Sequence, residues 1–252
     1  MGFANKVVCI TGASSGIGRA LAAEFARQRA QVGVLARRED RLRQLCEEIR
    51  AAGGTAEWAV ADAADRTATR DALRSLLARL GPCDILIANA GVGATNTATN
   101  LNIDGAETVI RTNLLGPMYA FEAVLPEMLS LRSGHLVAVS SVAAFKGLPT
   151  AAAYCASKAG LNAYMESLRI SLRSKKIAVT TICPGFVRTE MTAKQKMIWV
   201  LEPEVAARKI VRAIDRRKKL YSFPKRMRCL IELTRWLPDR VLARRIPEEA
   251  PS

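Results

Sequence analysis

The sequence predicts an α/β fold: one doubly wound parallel sheet of about seven strands, with helices on both faces. Three observations carry this expectation. Short β-rich apolar runs alternate with segments whose apolar residues recur at helical spacing, and no linker interrupts the series. The runs are continuously apolar, as strands buried on both faces are. Half of the 252 residues are hydrophobic and 24% are charged, which supplies a large aliphatic core and excludes wholesale disorder.

The elements follow in order. Val7 to Ile10 is a β-rich run ending in Thr11-Gly12, and Ile17, Leu21 and Phe25 mark a helix over Ile17 to Arg29. The alternation repeats as strand Gln31 to Ala36, helix Glu39 to Ala52, strand Thr55 to Val60, helix Asp65 to Leu80 and strand Asp84 to Ala88. A long helical stretch from about Asp104 to Leu131 precedes strand His135 to Ser140, helix Ala152 to Ser174 and strand Ile177 to Cys183. Helix Pro203 to Arg217 and strand Leu220 to Phe223 close the series. Beyond Pro224, the segment Lys225 to Leu237 sets Met227, Leu230, Ile231, Leu233, Trp236 and Leu237 among Lys225, Arg226, Arg228 and Arg235, the pattern of a basic amphipathic helix. The expected organisation is thus a domain over 1–223 and a C-terminal extension over 224–252 packed on it, because those apolar residues together would form a patch that a protein normally covers. Docking on anionic membrane is the alternative that the interleaved bases leave open.

Charge and composition narrow the chemistry. The net charge of +15 raises nucleic acid, anionic membrane and anionic cofactors as partners. The bases spread over many helices, with no aromatic-rich RNA-binding strand pattern and no zinc module, so nucleic acid is not expected. His135 is the single histidine, which disfavours a metal site or a Ser-His-Asp triad, and it begins a strand at the end away from where ligands bind. The six cysteines are widely spaced, without a C-x-x-C pair, and fit small buried hydrophobes in a reducing compartment. No signal-peptide pattern is read, and each apolar run is shorter than the roughly 20 residues that a spanning helix needs. A cytoplasmic protein is expected, with association at a membrane surface as the alternative.

In a doubly wound sheet, ligands bind at the carboxyl ends of the strands, so the segments that follow the strands hold the candidate residues. Thr11-Gly12-Ala13-Ser14-Ser15-Gly16-Ile17-Gly18 lies between the first strand and the first helix, the context that a dinucleotide-binding turn requires. Gly12 permits the tight turn, Gly16 lets backbone approach a pyrophosphate, and Gly18 allows close helix packing, while the helix N-terminus offers free N–H groups to the anion. Twenty positions after Gly16, where an NAD site usually places a carboxylate for the ribose 2′-hydroxyl, stand Ala36 and then Arg37-Arg38. Arginine grips a 2′-phosphate by a forked, charge-assisted contact, so NADP(H) is the expected cofactor. Farther on, Tyr154 and Lys158 are spaced i,i+4 on one helix face, with Ser141 thirteen residues before the tyrosine.

With these residues, the chain resembles the short-chain dehydrogenase/reductase family from roughly Lys6 to Arg217. The family's motifs stand here as Thr11-Gly12-x-x-x-Gly16-x-Gly18, Asp62, Asn89-Ala90-Gly91, Asn113, Ser141, Tyr154-x-x-x-Lys158 and Pro184-Gly185. The resemblance implies a Rossmann-fold oxidoreductase that moves hydride between NADPH and a carbonyl or secondary alcohol. In it Tyr154 would be the general acid/base, Lys158 would stabilise its phenolate and hold the nicotinamide ribose, Ser141 would bind the carbonyl oxygen, and Asn113 would anchor a water in a proton relay. The cofactor would lie against Gly12, Ser14, Ser15, Gly16, Ile17 and Gly18. Arg37 and Arg38 would take its 2′-phosphate, Asp62 and Ala63 would meet adenine, Asn89 would brace the central strand beside it, and Ala90 and Gly91 would line its site. Pro184, Gly185, Val187 and Thr189 would cover the nicotinamide. Ala88 departs from the family, many of whose members carry a second Asn there. The glycine-rich terminal strand that supports a tetramer is absent, so the analogy implies a homodimer through the two long central helices. The candidate substrate lining (Val92, Val142, Phe145, Leu148, Phe186, Met191, Trp199) is apolar, which fits a hydrophobic carbonyl or alcohol.

Overall fold

The computed structural model describes residues 2–97, 100–193 and 199–234. Its seven strands form one sheet in the order β3-β2-β1-β4-β5-β6-β7, and every neighbouring pair is parallel. The strands are β1 (Val7–Thr11), β2 (Gln31–Ala36), β3 (Thr55–Val60), β4 (Ile85–Ala88), β5 (Gly134–Val139), β6 (Ile177–Pro184) and β7 (Leu220–Phe223). The winding reverses at β1, where the chain passes from β3 across to β4, so the crevice for a ligand opens beyond the carboxyl ends of β1 and β4.

Alternate strand residues feed two cores, because successive side chains point to opposite faces. Val8, Ile10, Val32, Val34 and Ile87 pack under α1 (Gly16–Arg27), α2 (Glu39–Ala51) and α7 (Pro203–Asp215). Cys9, Leu35, Leu86, Leu136 and Ala138 pack under α3 (Arg66–Leu80), α5 (Gly116–Leu131) and α6 (Ala152–Ser171). The helix of α3 starts where the sequence puts it, with the Asp65 carboxylate accepting from the Ala68 N–H and capping the first turn. Five of the six free cysteines are buried and only Cys229 is exposed. His135 sits at the start of β5, buried, with Nε2 2.8 Å from Thr180 Oγ1, and burial pushes its pKa down to about 4. It is a neutral core residue, as its position suggests.

The stretch expected as one long helix over 104–131 is two helices. Here α4 (Ile103–Ile110) passes into a π-helical turn at Arg111–Leu115 before α5 begins. The wider turn adds a residue without ending the helical path, and it carries Asn113 into the interior, where no part of it is exposed. Gly116, directly after it, lies so close to β3's exit that a Cβ would meet the Ala63 carbonyl oxygen at 2.8 Å.

The C-terminal helix α8 is described over Lys225–Thr234, and the Arg235, Trp236 and Leu237 end of the expected helix, with the rest of the extension to 252, lies outside the described residues. Met227 is buried against Gly185, Arg226 covers Trp199 at 4.5 Å, and Arg228 covers Phe145 at 5.0 Å. This part of α8 therefore packs through Met227, Arg226 and Arg228 on the segment after β6 and on the short turn Val142–Phe145 that follows β5, while Leu230 and Leu233, which the sequence pattern expects to be covered, are exposed.

Candidate active site

A cleft of about 560 Å³ opens at the carboxyl edge of the sheet. Its first wall is the turn after β1. Gly12 N donates to Leu35 O at 2.7 Å, and Thr11 Oγ1 accepts from the N–H groups of Asn89 and Ala90, both at 3.1 Å, which ties β1 to the end of β4. Asn89 Nδ2 donates back to Thr11 O at 3.0 Å and Gly12 O at 3.2 Å. The fit leaves no room for larger residues: with φ of +67°, Gly12 would place a Cβ 2.6 Å from Ala90 Cα, and Gly18 would place one 2.4 Å from Gly12 O. Helix α1 then starts at Gly16 without a side-chain cap and without an acid in its first turn. Its leading N–H groups have no intrahelical partner, and the positive end of the helix dipole aims at the cleft. A dinucleotide pyrophosphate fits this turn.

The adenosine side is basic. Ala36 ends β2 as a buried residue, so no carboxylate occupies the position of a ribose 2′-hydroxyl acceptor. Arg38 is fixed on the first turn, donating from Nη2 to Ser14 Oγ at 3.0 Å and Ser15 Oγ at 2.8 Å, and from Nη1 to Glu190 at 2.8 Å. Arg37 is two-thirds exposed and loosely paired with Asp62 at 3.7 Å, while the Asp62 carboxylate also accepts from Ala64 N at 2.9 Å.

The opposite wall carries the titratable groups. Strand β5 ends at Val139, whose carbonyl accepts a 2.9 Å hydrogen bond from the fully buried Lys158 ammonium. Ser140 and Ser141 part as strand alternation requires. The buried Ser140 hydroxyl donates to Lys158 O at 3.2 Å, whereas Ser141 Oγ caps the following turn by accepting from Ala143 N at 3.1 Å and lies toward Tyr154. On α6, Tyr154 and Lys158 stand one turn apart, with Lys158 Nζ 5.8 Å from the centre of the tyrosine ring. Burial pushes the Tyr154 phenol above its usual range, and the Ser141 hydroxyl partly opposes it. Burial lowers Lys158 to about 8. The phenol is thus held protonated.

Nineteen of the expected site residues line the cleft: Gly12, Ser14, Ser15, Gly16, Ile17, Arg37, Arg38, Asp62, Ala63, Asn89, Ala90, Gly91, Ser141, Tyr154, Lys158, Pro184, Gly185, Val187 and Thr189. Gly18 and Asn113 stand behind it. Asn113 exchanges hydrogen bonds with the backbone of Val92, accepting at 2.8 Å and donating at 2.9 Å, and also donates to Ser157 Oγ at 3.2 Å, so its side chain is engaged by protein on both sides. Of the expected apolar lining, Val92 and Met191 border the cleft, and Phe145 and Trp199 lie beneath the arginines of α8. The sequence reading missed Ser157, which links Asn113 to the Tyr154 carbonyl at 2.7 Å, and Glu190, and no local signal marked either. The Val139 carbonyl is backbone and has no signature in the residue type.

This arrangement can hold a dinucleotide along one wall and exchange a proton at a carbonyl oxygen on the other. The family model described as short chain dehydrogenase matches residues 6–197. An uncharacterized oxidoreductase of Myxococcus xanthus is 40% identical over 236 residues, covering 93% of each chain. The fold is shared with a short-chain dehydrogenase/reductase from Burkholderia phymatum, solved in complex with NAD, at a TM-score of 0.86 and 23% identity over 100% of this chain and 99% of that one. It is shared too with an alcohol dehydrogenase of Thermococcus sibiricus, complexed with 5-hydroxy-NADP, at a TM-score of 0.79 and 24% identity over 86% and 95%. This chain belongs to the short-chain dehydrogenase/reductase family of oxidoreductases.

Proposed function

We propose that the protein is an NADP(H)-dependent oxidoreductase that interconverts a hydrophobic carbonyl and its secondary alcohol, as a homodimer in the cytoplasm. The observation that carries this is the cluster of Ser141, Tyr154 and Lys158 on the wall of the cleft that faces the glycine turn. For the cofactor, the absent carboxylate at Ala36 and the anchored Arg38 favour a 2′-phosphate over a hydroxyl. The neighbouring structures carry both cofactor types, NAD in one and an NADP derivative in the other, so the choice rests on this chain's own arginines. For the substrate, the apolar border at Val92 and Met191 favours a hydrophobic compound.

Bound NADPH would supply a hydride to the carbonyl carbon. Ser141 donates a hydrogen bond to the carbonyl oxygen and orients it. Tyr154, protonated by virtue of its burial, gives its proton to that oxygen as negative charge develops, completing the alcohol. Lys158 bears on the phenolate that remains, and its ammonium stabilises it until a proton returns. Asn113 positions this machinery, clamping Val92 on one side and α6 through Ser157 on the other. In the direction of oxidation the same groups act in reverse.

The test is turnover of a panel of aldehydes and ketones with NADPH and with NADH. NADPH is expected to bind more tightly, and Arg37→Glu to weaken it by about 1–3 kcal/mol, the range for a lost charged hydrogen bond. Tyr154→Phe is expected to abolish turnover while leaving NADPH binding near the parent value. Equal affinity for both cofactors refutes the NADP(H) assignment, and substantial turnover in Tyr154→Phe refutes the mechanism.

A further inference from the structure

We propose that Glu190 is a cofactor-discriminating residue: its carboxylate competes with a cofactor 2′-phosphate for the Arg38 guanidinium and so lowers the preference for NADP(H) over NAD(H). The inference rests on the cofactor reading above, in which Arg38 faces the 2′-phosphate.

Glu190 follows Thr189 on the segment after β6, on the far side of the cleft mouth from β2. It is 152 positions from Arg38, yet one carboxylate oxygen accepts from Arg38 Nη1 at 2.8 Å and the other accepts from Arg41 Nη1. Arg38 has little freedom to serve two anions. Its Nε and Nη2 are committed to the hydroxyls of Ser14 and Ser15 on the glycine turn, which leaves the Nη1 side as the free edge of the fork, and Glu190 occupies it. Two guanidiniums hold the Glu190 carboxyl below the usual carboxylate range, so it is a full negative charge at any working pH. A 2′-phosphate arriving at Arg38 must displace this carboxylate or sit beside it, and either outcome opposes a doubly charged group. A ribose 2′-hydroxyl meets no such opposition. The penalty therefore falls on one cofactor only, which makes it a term in specificity.

Adenosine 2′,5′-bisphosphate and 5′-AMP isolate the contact without chemistry at the nicotinamide. In Glu190→Gln, the ratio of their affinities is expected to shift toward the bisphosphate by about fivefold at low salt, the size of one exposed charge contact. The AMP affinity should stay within about twofold, and the gain should fade as salt screens the pair. An unchanged ratio overturns the proposal, as does a parallel loss of both ligands, which would mean that Glu190 straps the cleft shut rather than competing. If the parent protein and Arg38→Gln both bind the two ligands equally well, the NADP(H) reading itself fails. If the parent prefers the bisphosphate and Glu190→Gln leaves that preference unaltered, only the role of Glu190 fails.

Discussion

Lys158 is the residue on which burial and chemistry meet. Its ammonium is fully enclosed, satisfied by one carbonyl, and lowered by desolvation to about 8, while its tyrosine partner is raised above the ordinary phenol value. For the carbonyl reduction proposed above, the two shifts predict the pH behaviour. Tyr154 stays protonated across neutral and mildly alkaline pH, so loss of the donor is not what limits the rate there. As pH rises through about 8, Lys158 loses its proton, and the phenolate formed on proton transfer loses its counter-charge. The kcat/KM for reduction should therefore fall along a limb near pH 8. Folding stability moves the other way. The unfolded chain, with lysine near 10.5, binds the proton more tightly than the folded one, so between about 8 and 10.5 deprotonation favours the fold. A falling rate in that window is then not unfolding. In Lys158→Arg, whose guanidinium stays charged, the limb should move to higher pH even though the rate is reduced throughout. A limb at the same pH in both proteins would assign it to another group.

At the scale of elements, much of the molecule was legible because its strands are pure and its helices are amphipathic. Strands β2, β3 and β7 begin and end at the residues where the sequence pattern breaks, and Asp65 and Pro203 announce their helices. The π-helical turn was not legible, because a single wide turn preserves the apolar character of the stretch on either side, and the contacts of Asn113 with Val92 and Ser157 that accompany it are tertiary. The site divides the same way. Its glycines, Tyr154 and Lys158 are fixed by local spacing, whereas the Val139 carbonyl, Ser157 and Glu190 are recruited by tertiary approach. The helix α8 combines both cases: its amphipathic pattern was readable, but its seat was not. That seat is Gly185, where a Cβ would lie 2.5 Å from Met227 Sδ, on the segment that borders the catalytic wall. Truncating the buried Met227 to Ala should cost about 2–5 kcal/mol of packing. That loosens α8 from the Val142–Phe145 turn, and KM for hydrophobic carbonyls should rise several-fold. Met227→Leu, close in volume, should restore most of the loss. Binding of adenosine 2′,5′-bisphosphate at the glycine turn should change little in either. Parent-like kinetics in Met227→Ala would show that α8 has no part in the substrate site.

For the whole molecule, the net charge of +15 is not spread evenly over the function it can serve. Arg19, Arg37, Arg38, Arg41 and Arg188 all border the phosphate side of the cleft or the groove beside it. Their acidic partners Glu48, Asp62, Glu190 and Glu202 offset these bases one by one, with Glu190 shared between two of them, so the local excess at the mouth is small. The long-range field then comes from the surplus of bases elsewhere, on α7, the loop after it and α8. Such a field reaches past the local pairs at low salt and decays within about 10 Å at roughly 0.1 M. A polyanionic dinucleotide should therefore be drawn to the protein before it meets any specific contact. Stopped-flow association of NADPH is expected to slow by about tenfold between roughly 10 mM and 300 mM salt, with a dissociation rate that changes less. A neutral carbonyl substrate should show no comparable effect on its KM. An association rate indifferent to salt would mean that the paired acids at the cleft cancel the field of the whole chain where the cofactor enters.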